Sequence, residues 1–132
     1  MANYPNLKEA QEYFSRDRFA TDNGMTLNEL DEEHSVCSVT LGEGHRNAYG
    51  GVMGGVIFTL ADFAFAALSN NIHQPTVAQQ VSINYLSAPK GARLVAEAHF
   101  RKNGKTSSII NVDVRDDTGR DIAQFIGTGF KL

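Results

Sequence analysis

An aspartate stands inside an otherwise apolar run, and a glycine pair stands before it. Residues 56–68 read VIFTLADFAFAAL, with Thr59 and Asp62 the two polar side chains. A carboxylate buried without a partner is costly, or takes up a proton instead. Its neighbours at i−4, i+1 and i+4 are Phe58, Phe63 and Ala66, and none can pair with it. Thr59 shares its face and can hydrogen-bond to it or to a water. A partly desolvated carboxylate is a stronger base than one in bulk water. Gly54-Gly55 opens the same run. The first N–H groups of a helix have no internal partner and sit at the positive end of its dipole. Glycine lets a ligand oxygen approach them closely, and a developing oxyanion is a suitable guest. The plain alternatives are a structural acid at a helix edge and a glycine pair that punctuates a loop.

The spacing of the two candidates carries a consequence. Eight residues of helix rise about 12 Å. An oxyanion donor and a base must each lie about 3 Å from the atom they serve. One copy of the helix cannot place both on one carbonyl, whereas two antiparallel copies can, with Gly54 of one facing Asp62 of the other. A site shared across a dimer is expected, and by symmetry two such sites.

Weaker candidates flank these. His45 is an available general base, and Asn47 can donate to a carbonyl or hold a water. Arg101, Lys102 and Lys105 surround Asn103-Gly104, with Lys90 and Arg93 nearby in sequence. Such cations could hold the phosphates of a nucleotide-bearing ligand, or form a solvated hairpin tip. Cys37 reads as an inert core thiol. His34, His73 and His99 show no metal-ligand spacing, and no metal site is expected.

The elements that position these groups follow from periodicity. Residues 6 to about 16 form a short helix capped by Asn6, with Glu9 three residues on. Asp22-Asn23-Gly24 is a turn, and residues 25–31 could be a strand. Residues 35–41 are a clearer strand, with Cys37, Val39 and Leu41 on one face. A glycine-rich loop, 42–51, leads to a long helix over about 53–69. Period two then takes over: Val81, Ile83 and Tyr85 alternate with Ser82 and Asn84. Leu94, Ala96, Ala98 and Phe100 share a face. Asn103-Gly104 signals a hairpin. Ile110, Val112 and Val114 form the next strand, and Ile122, Gln124, Ile126, Thr128 and Phe130 make the last. A helix, two strands, a long apolar helix and a four-stranded meander give an α+β domain with an antiparallel sheet. A helix apolar on nearly every side must be covered on nearly every side. A curved sheet and a second copy of the chain would do so.

The 132 residues, 42% hydrophobic and 20% charged, suit one domain with one core. A net charge of −3 gives no sign of a nucleic-acid surface. One cysteine excludes an internal disulfide framework and makes a reducing cytoplasm the expected location. The start, MANYPNLKEAQEYF, lacks the apolar core of a secretory signal. The longest apolar run reads as too short and too interrupted to cross a membrane.

Taken together, Asn47, Gly50, Gly54-Gly55, Leu60-Ala61-Asp62 and Asn70 resemble the central motif of the hotdog-fold acyl-CoA thioesterases of the PaaI type, relatives of the 4-hydroxybenzoyl-CoA thioesterases. Ser82-Ile83-Asn84-Tyr85-Leu86, Gly91, Ala96-Glu97-Ala98, Gly104-Lys105-Thr106 and Gly119 extend the likeness over about residues 25–132. The resemblance implies one hotdog domain over 1–132, an antiparallel sheet wrapped around a long central helix, with a short N-terminal helical extension over about 1–24. It implies a dimer, commonly a dimer of dimers, and hydrolysis of an acyl-CoA to free acid and coenzyme A. Asp62 would be general base or nucleophile. The Gly54 N–H would polarise the thioester carbonyl, and Asn47 would orient the carbonyl or the water. Substrate contacts would come from Gly55, Met53, Thr59, His45, Asn84, Tyr85, Arg101, Lys102 and Lys105. Neither a metal nor a dissociable cofactor is implied, because coenzyme A is part of the substrate. The expected acyl group is aromatic, such as phenylacetyl, or medium-chain, with Phe58, Phe63 and Phe65 as candidate walls. Met53 stands where relatives usually carry His. Ala78 and Ala66 stand where some relatives have hydroxyls, and Thr59, Gln79 or Gln80 are the candidates to compensate. The alternatives are a non-catalytic acyl-CoA-binding protein and a hydroxyacyl-thioester dehydratase that uses His45.

Overall fold

The structure, a computed structural model, describes residues 1–132. Asn6 caps the first helix, α1 (Leu7–Phe14): its Oδ1 accepts from the N–H groups of Lys8 and Glu9 at 2.8 and 3.4 Å. Capping satisfies donors that the first turn leaves open, which is why the helix starts there. α1 buries Ala10 and Phe14. A short α2 (Arg18–Thr21) follows. Strands β1 (Thr26–Leu30) and β2 (His34–Thr40) come next, then the long helix α3 (Gly54–Ile72). Four strands complete the chain: β3 (Thr76–Tyr85), β4 (Arg93–Asn103), β5 (Ser107–Asp116) and β6 (Asp121–Lys131).

The six strands form one antiparallel sheet in the order β1-β2-β4-β5-β6-β3. The expected four-stranded meander is therefore corrected. β4, β5 and β6 do form a meander, but β3 lies beyond β6 at the far edge, and β2 takes the place beside β4. Period-two patterning fixes which side chains face the core and says nothing of which strand is the neighbour. β3 leaves the C-terminal end of α3 and runs along the edge remote from β1 and β2, so the strands before and after the helix embrace it from opposite sides.

The last strand needs a second correction. Its core is carried by Ile122, Ala123 and Phe125, while Ile126 and Phe130 are exposed. An irregularity opposite Val114 and Arg115 shifts the alternation by one residue. Phe125 packs edge-on to Phe58 and tilted to Phe65 of α3, with ring centroids 5.5 and 6.1 Å apart. Phe65 lies so close to β6 that a Cβ at Gly127 would meet its ring at 2.8 Å. Phe63 and Phe65 are thus buried in the core, and Phe58 packs half-buried against it.

By length and apolarity α3 could cross a bilayer, contrary to the expectation from the interrupted run. More than half of it is instead buried within its own chain. Ile57, Leu60, Ala64, Phe65 and Leu68 face the core. Among the residues left uncovered are those of a stripe at i, i+4, i+7 and i+11, with Gly55 exposed and Thr59, Asp62 and Ala66 half-buried; Val56 and Phe58 beside it are half-buried too. Covering is therefore incomplete along the line that carries the aspartate. Cys37 is wholly buried, and burial pushes its thiol up, out of the reactive range.

Candidate active site

The start of α3 is held from three directions. The His45 Nδ1 accepts from the Gly42 N–H at 2.9 Å, which leaves the proton on Nε2, and Nε2 donates to the Asn23 carbonyl at 2.8 Å. The Met53 N–H donates to the His45 carbonyl at 2.9 Å. His45 is therefore not an available base: both ring nitrogens tether the loop to the N-terminal segment. Asn47 builds the loop beyond it. Its Oδ1 accepts from the N–H groups of Tyr49 and Gly51 at 3.0 and 3.1 Å. That double acceptance fixes the flip of the carboxamide and leaves Nδ2 as a free donor.

Tyr85, the last residue of β3, lies over Gly54. Its hydroxyl donates to the Gly54 carbonyl at 3.2 Å, and a Cβ at Gly54 would meet the ring at 3.3 Å. Glycine is needed here for close approach. The N–H groups of Gly54 and Gly55 find no acceptor in the chain. They project at the positive end of a 19-residue helix. A cleft of about 420 Å³ opens in front of them, lined by Asn47, Gly54, Ile57, Tyr85 and residues 86–89. Its far wall is held by Asp116, whose carboxylate accepts from the N–H groups of Lys90 and Gly91 at 2.8 and 3.0 Å. A smaller cavity of about 210 Å³ lies on the other side of the helix start, among Phe19, Met25, Met53, Val56, Gly55 and Thr59.

Asp62 accepts no hydrogen bond and pairs with no cation. Thr59 does not serve it: its hydroxyl donates back to the Gly55 carbonyl at 2.7 Å, so the expected contact is absent. Burial raises the proton affinity of Asp62, and the negative charge of Asp17 raises it further. Asp17 sits between α1 and α2, where it makes no capping hydrogen bond. Burial raises its own proton affinity as well, and once ionised its charge opposes ionisation of Asp62. Nothing in the polar N-terminal stretch marked Asp17 beforehand, since its effect comes from the fold bringing residue 17 against α3. If Asp62 is the working base, activity is lost as pH falls through its raised pKa. Asp17→Asn should therefore move the acid limb of the kcat/KM–pH profile to lower pH and leave the plateau in place, read from initial rates across the acid range.

Other site residues are dispersed. Asn84 is exposed on β3, opposite Gln124. Arg101, Lys102 and Lys105 sit at the β4–β5 tip, beside Lys131, whose Nζ bonds Asn103 and Gly104 at 2.9 and 2.6 Å. Lys131 pairs with Thr76, just past the C-terminal end of α3. The cations thus lie about one helix length, roughly 28 Å, from Gly54 in the same chain. Unpaired helix N–H groups can hold an oxyanion, and an unpaired desolvated carboxylate can take a proton from water. The chain brings the first to one place and carries the second at another.

The thioesterase superfamily profile matches residues 49–123, which include Gly54, Asp62 and Tyr85. The chain belongs to that superfamily. This thioesterase is 34% identical over 104 residues to mouse acyl-coenzyme A thioesterase 13, covering 76% of its own length and 74% of the relative's. It is 26% identical over 126 residues to the Escherichia coli K12 acyl-coenzyme A thioesterase PaaI, covering 95% of this chain and 90% of that one. A thioesterase protein of Streptococcus pneumoniae TIGR4, solved with coenzyme A, superimposes with a TM-score of 0.83 at 26% identity, over 91% of this chain and 94% of that chain. The fold is the hotdog fold: one antiparallel sheet around a central helix. The enzyme is thus a thioester hydrolase, and its site must polarise a carbonyl and supply water.

Proposed function

We propose that this thioesterase hydrolyses an acyl-CoA to the free acid and coenzyme A, at a site shared by two copies of the chain. The observation that carries the reading is Asp62 itself, unpaired on the stripe of α3 that its own chain leaves uncovered. A second copy laid antiparallel covers the stripe and brings its Gly54 N–H towards Asp62. The outer edge of β3 has no neighbouring strand, which offers that copy a sheet edge to extend. Further pairing into a dimer of dimers has an apolar surface available in Val77, Ile126 and Phe130.

In this reading the thioester carbonyl oxygen accepts from the Gly54 N–H and from Asn47 Nδ2. Asp62 takes a proton from water, and the resulting hydroxide attacks the carbonyl carbon. The tetrahedral oxyanion is held by the same donors, and its collapse expels the coenzyme A thiolate, which recovers a proton. Asp62 could instead attack the carbonyl directly and form an anhydride that water then opens. Neither route uses a metal or a dissociable cofactor. Coenzyme A as leaving group is supported by the named activities of the two relatives and by the coenzyme A in the pneumococcal protein. Antiparallel copies also bring the hairpin cations of one towards the Gly54 end of the other, where phosphates of the ligand would need them. The setting is a reducing cytoplasm, in which Cys37 stays a thiol.

Mixed dimers test the shared site. Asp62→Asn and Gly54→Pro homodimers should each turn over phenylacetyl-, benzoyl- and medium-chain acyl-CoA substrates at about a hundredth of the wild-type rate or less, followed as released thiol. A mixed dimer has one site with both groups intact. Statistical mixing should restore about a quarter of the wild-type sites. No recovery on mixing would mean that each chain carries a complete site.

A further inference from the structure

Two cavities diverge from the start of α3, and their walls differ. The larger holds the free Asn47 amide donor. The smaller has the polar groups of its Asn23 and Thr59 side chains already used, and the Gly55 N–H stays free at its mouth. Asn23 donates its amide to the Phe19 carbonyl at 2.7 Å, the Asn23 carbonyl accepts from His45, and the Thr59 hydroxyl donates to Gly55. What it offers a ligand is carbon and sulfur surface from Phe19, Met25, Met53 and Val56. Phe19 is 73% and Met53 55% exposed, so two large apolar side chains stand at its mouth with little of their own chain against them. Buried Met25 forms its floor. Behind Met25 lies a separate cavity of about 310 Å³, which Met25 also lines, with Phe14, Leu27 and Phe63 among its walls.

Resting on the thioesterase reading, we propose that the cavity between residues 19–25 and the first turns of α3 is the acyl subsite and that Met25 sets its length limit. At about 30 Å³ for each methylene, comparable with a water, it takes a compact apolar acyl group of about six to eight carbons. A carbonyl held at the Gly54 N–H places its α-carbon beside Gly55 and Met53, at the mouth. The pantetheine arm then leaves on the other side, through the Asn47 cleft. The tether from His45 to Asn23 keeps the N-terminal wall in place, so a segment outside the matched family region shapes substrate choice. Two methionine sulfurs and the Phe19 ring suit an aryl group as well as an alkyl chain.

The test measures binding by calorimetry, using non-hydrolysable S-ethyl, S-octyl and S-dodecyl coenzyme A. The unmodified protein should bind the octyl thioether about tenfold or more tighter than the ethyl one. It should gain nothing further from dodecyl. Met25→Ala joins the two cavities and should raise the dodecyl-to-octyl affinity ratio about tenfold. Val56→Phe fills the subsite from the helix side, needs no core residue removed, and should bring the octyl-to-ethyl ratio down to about one. Ratios that stay at the wild-type values in both folded variants, or affinities independent of chain length, overturn the subsite while leaving turnover and its dependence on Asp62 intact. Failure of all three thioethers to bind overturns the subsite together with the acyl-CoA reading.

Discussion

Asp62→Asn should lower kcat by about 10²–10⁴-fold, the usual worth of a positioned general base, and should raise the melting temperature. The two effects share one cause. Burial and the charge of Asp17 hold the Asp62 proton more firmly in the folded chain than in the unfolded one. Between those two pKa values the folded state binds more protons, so stability falls as pH rises through that window. At neutral pH the ionised carboxylate therefore costs stability, and a neutral amide of the same shape removes the cost. Thermal unfolding at neutral pH should show the variant melting higher, with a weaker dependence on pH in the weakly acid range. Affinity for a coenzyme A thioether should survive. A variant that lost activity and melted lower would instead mark Asp62 as a structural group.

Gly54→Pro should lower kcat by about 10²–10³-fold, the effect of deleting one oxyanion donor. Proline suits the first position of a helix because its missing N–H has no internal partner there. Met53, with φ −64° and ψ 134°, already has the extended conformation favoured before proline. The substitution thus removes the N–H and keeps the helix. The added carbon meets the Tyr85 ring, which is half-exposed and can swing aside. Gly54→Ala supplies the control: it carries the same Cβ and retains the N–H. The rate ratio between the two variants isolates the donor, with circular dichroism to confirm that α3 persists in both. Equal rates would remove the Gly54 N–H from the mechanism.

Much of the candidate site was legible before folding because it lies on one continuous element. Helical periodicity put Gly54, Thr59 and Asp62 on α3, and the rise per residue is what leads to the proposal that two copies share the site. The hairpin at Asn103-Gly104 and the cap at Asn6 were readable because turn and cap chemistry is local. Misreadings came where a side chain had a second possible partner. His45 looked like a base, but its nitrogens face Gly42 and Asn23. Thr59 looked like a partner for Asp62, but a carbonyl of the preceding turn was nearer. Phe58 and Phe65 looked like pocket walls, and through Phe125 β6 draws Phe65 into the core and Phe58 against it.

By itself, then, the sequence determined the helix, its aspartate, its glycine start and the strands that alternate around it, since each depends on residues within a few positions of one another. Tertiary structure alone decided that β3 lies beside β6 rather than β4, and that Asp17 acts on Asp62. It alone decided that Tyr85 lies on Gly54, that the hairpin cations stand at the wrong end of the helix for their own chain, and that residues 19–25 wall a cavity beside Gly55. Each of these joins segments far apart in the chain, and which distant segments meet is settled by how the whole sheet closes around one helix, a choice no local pattern records.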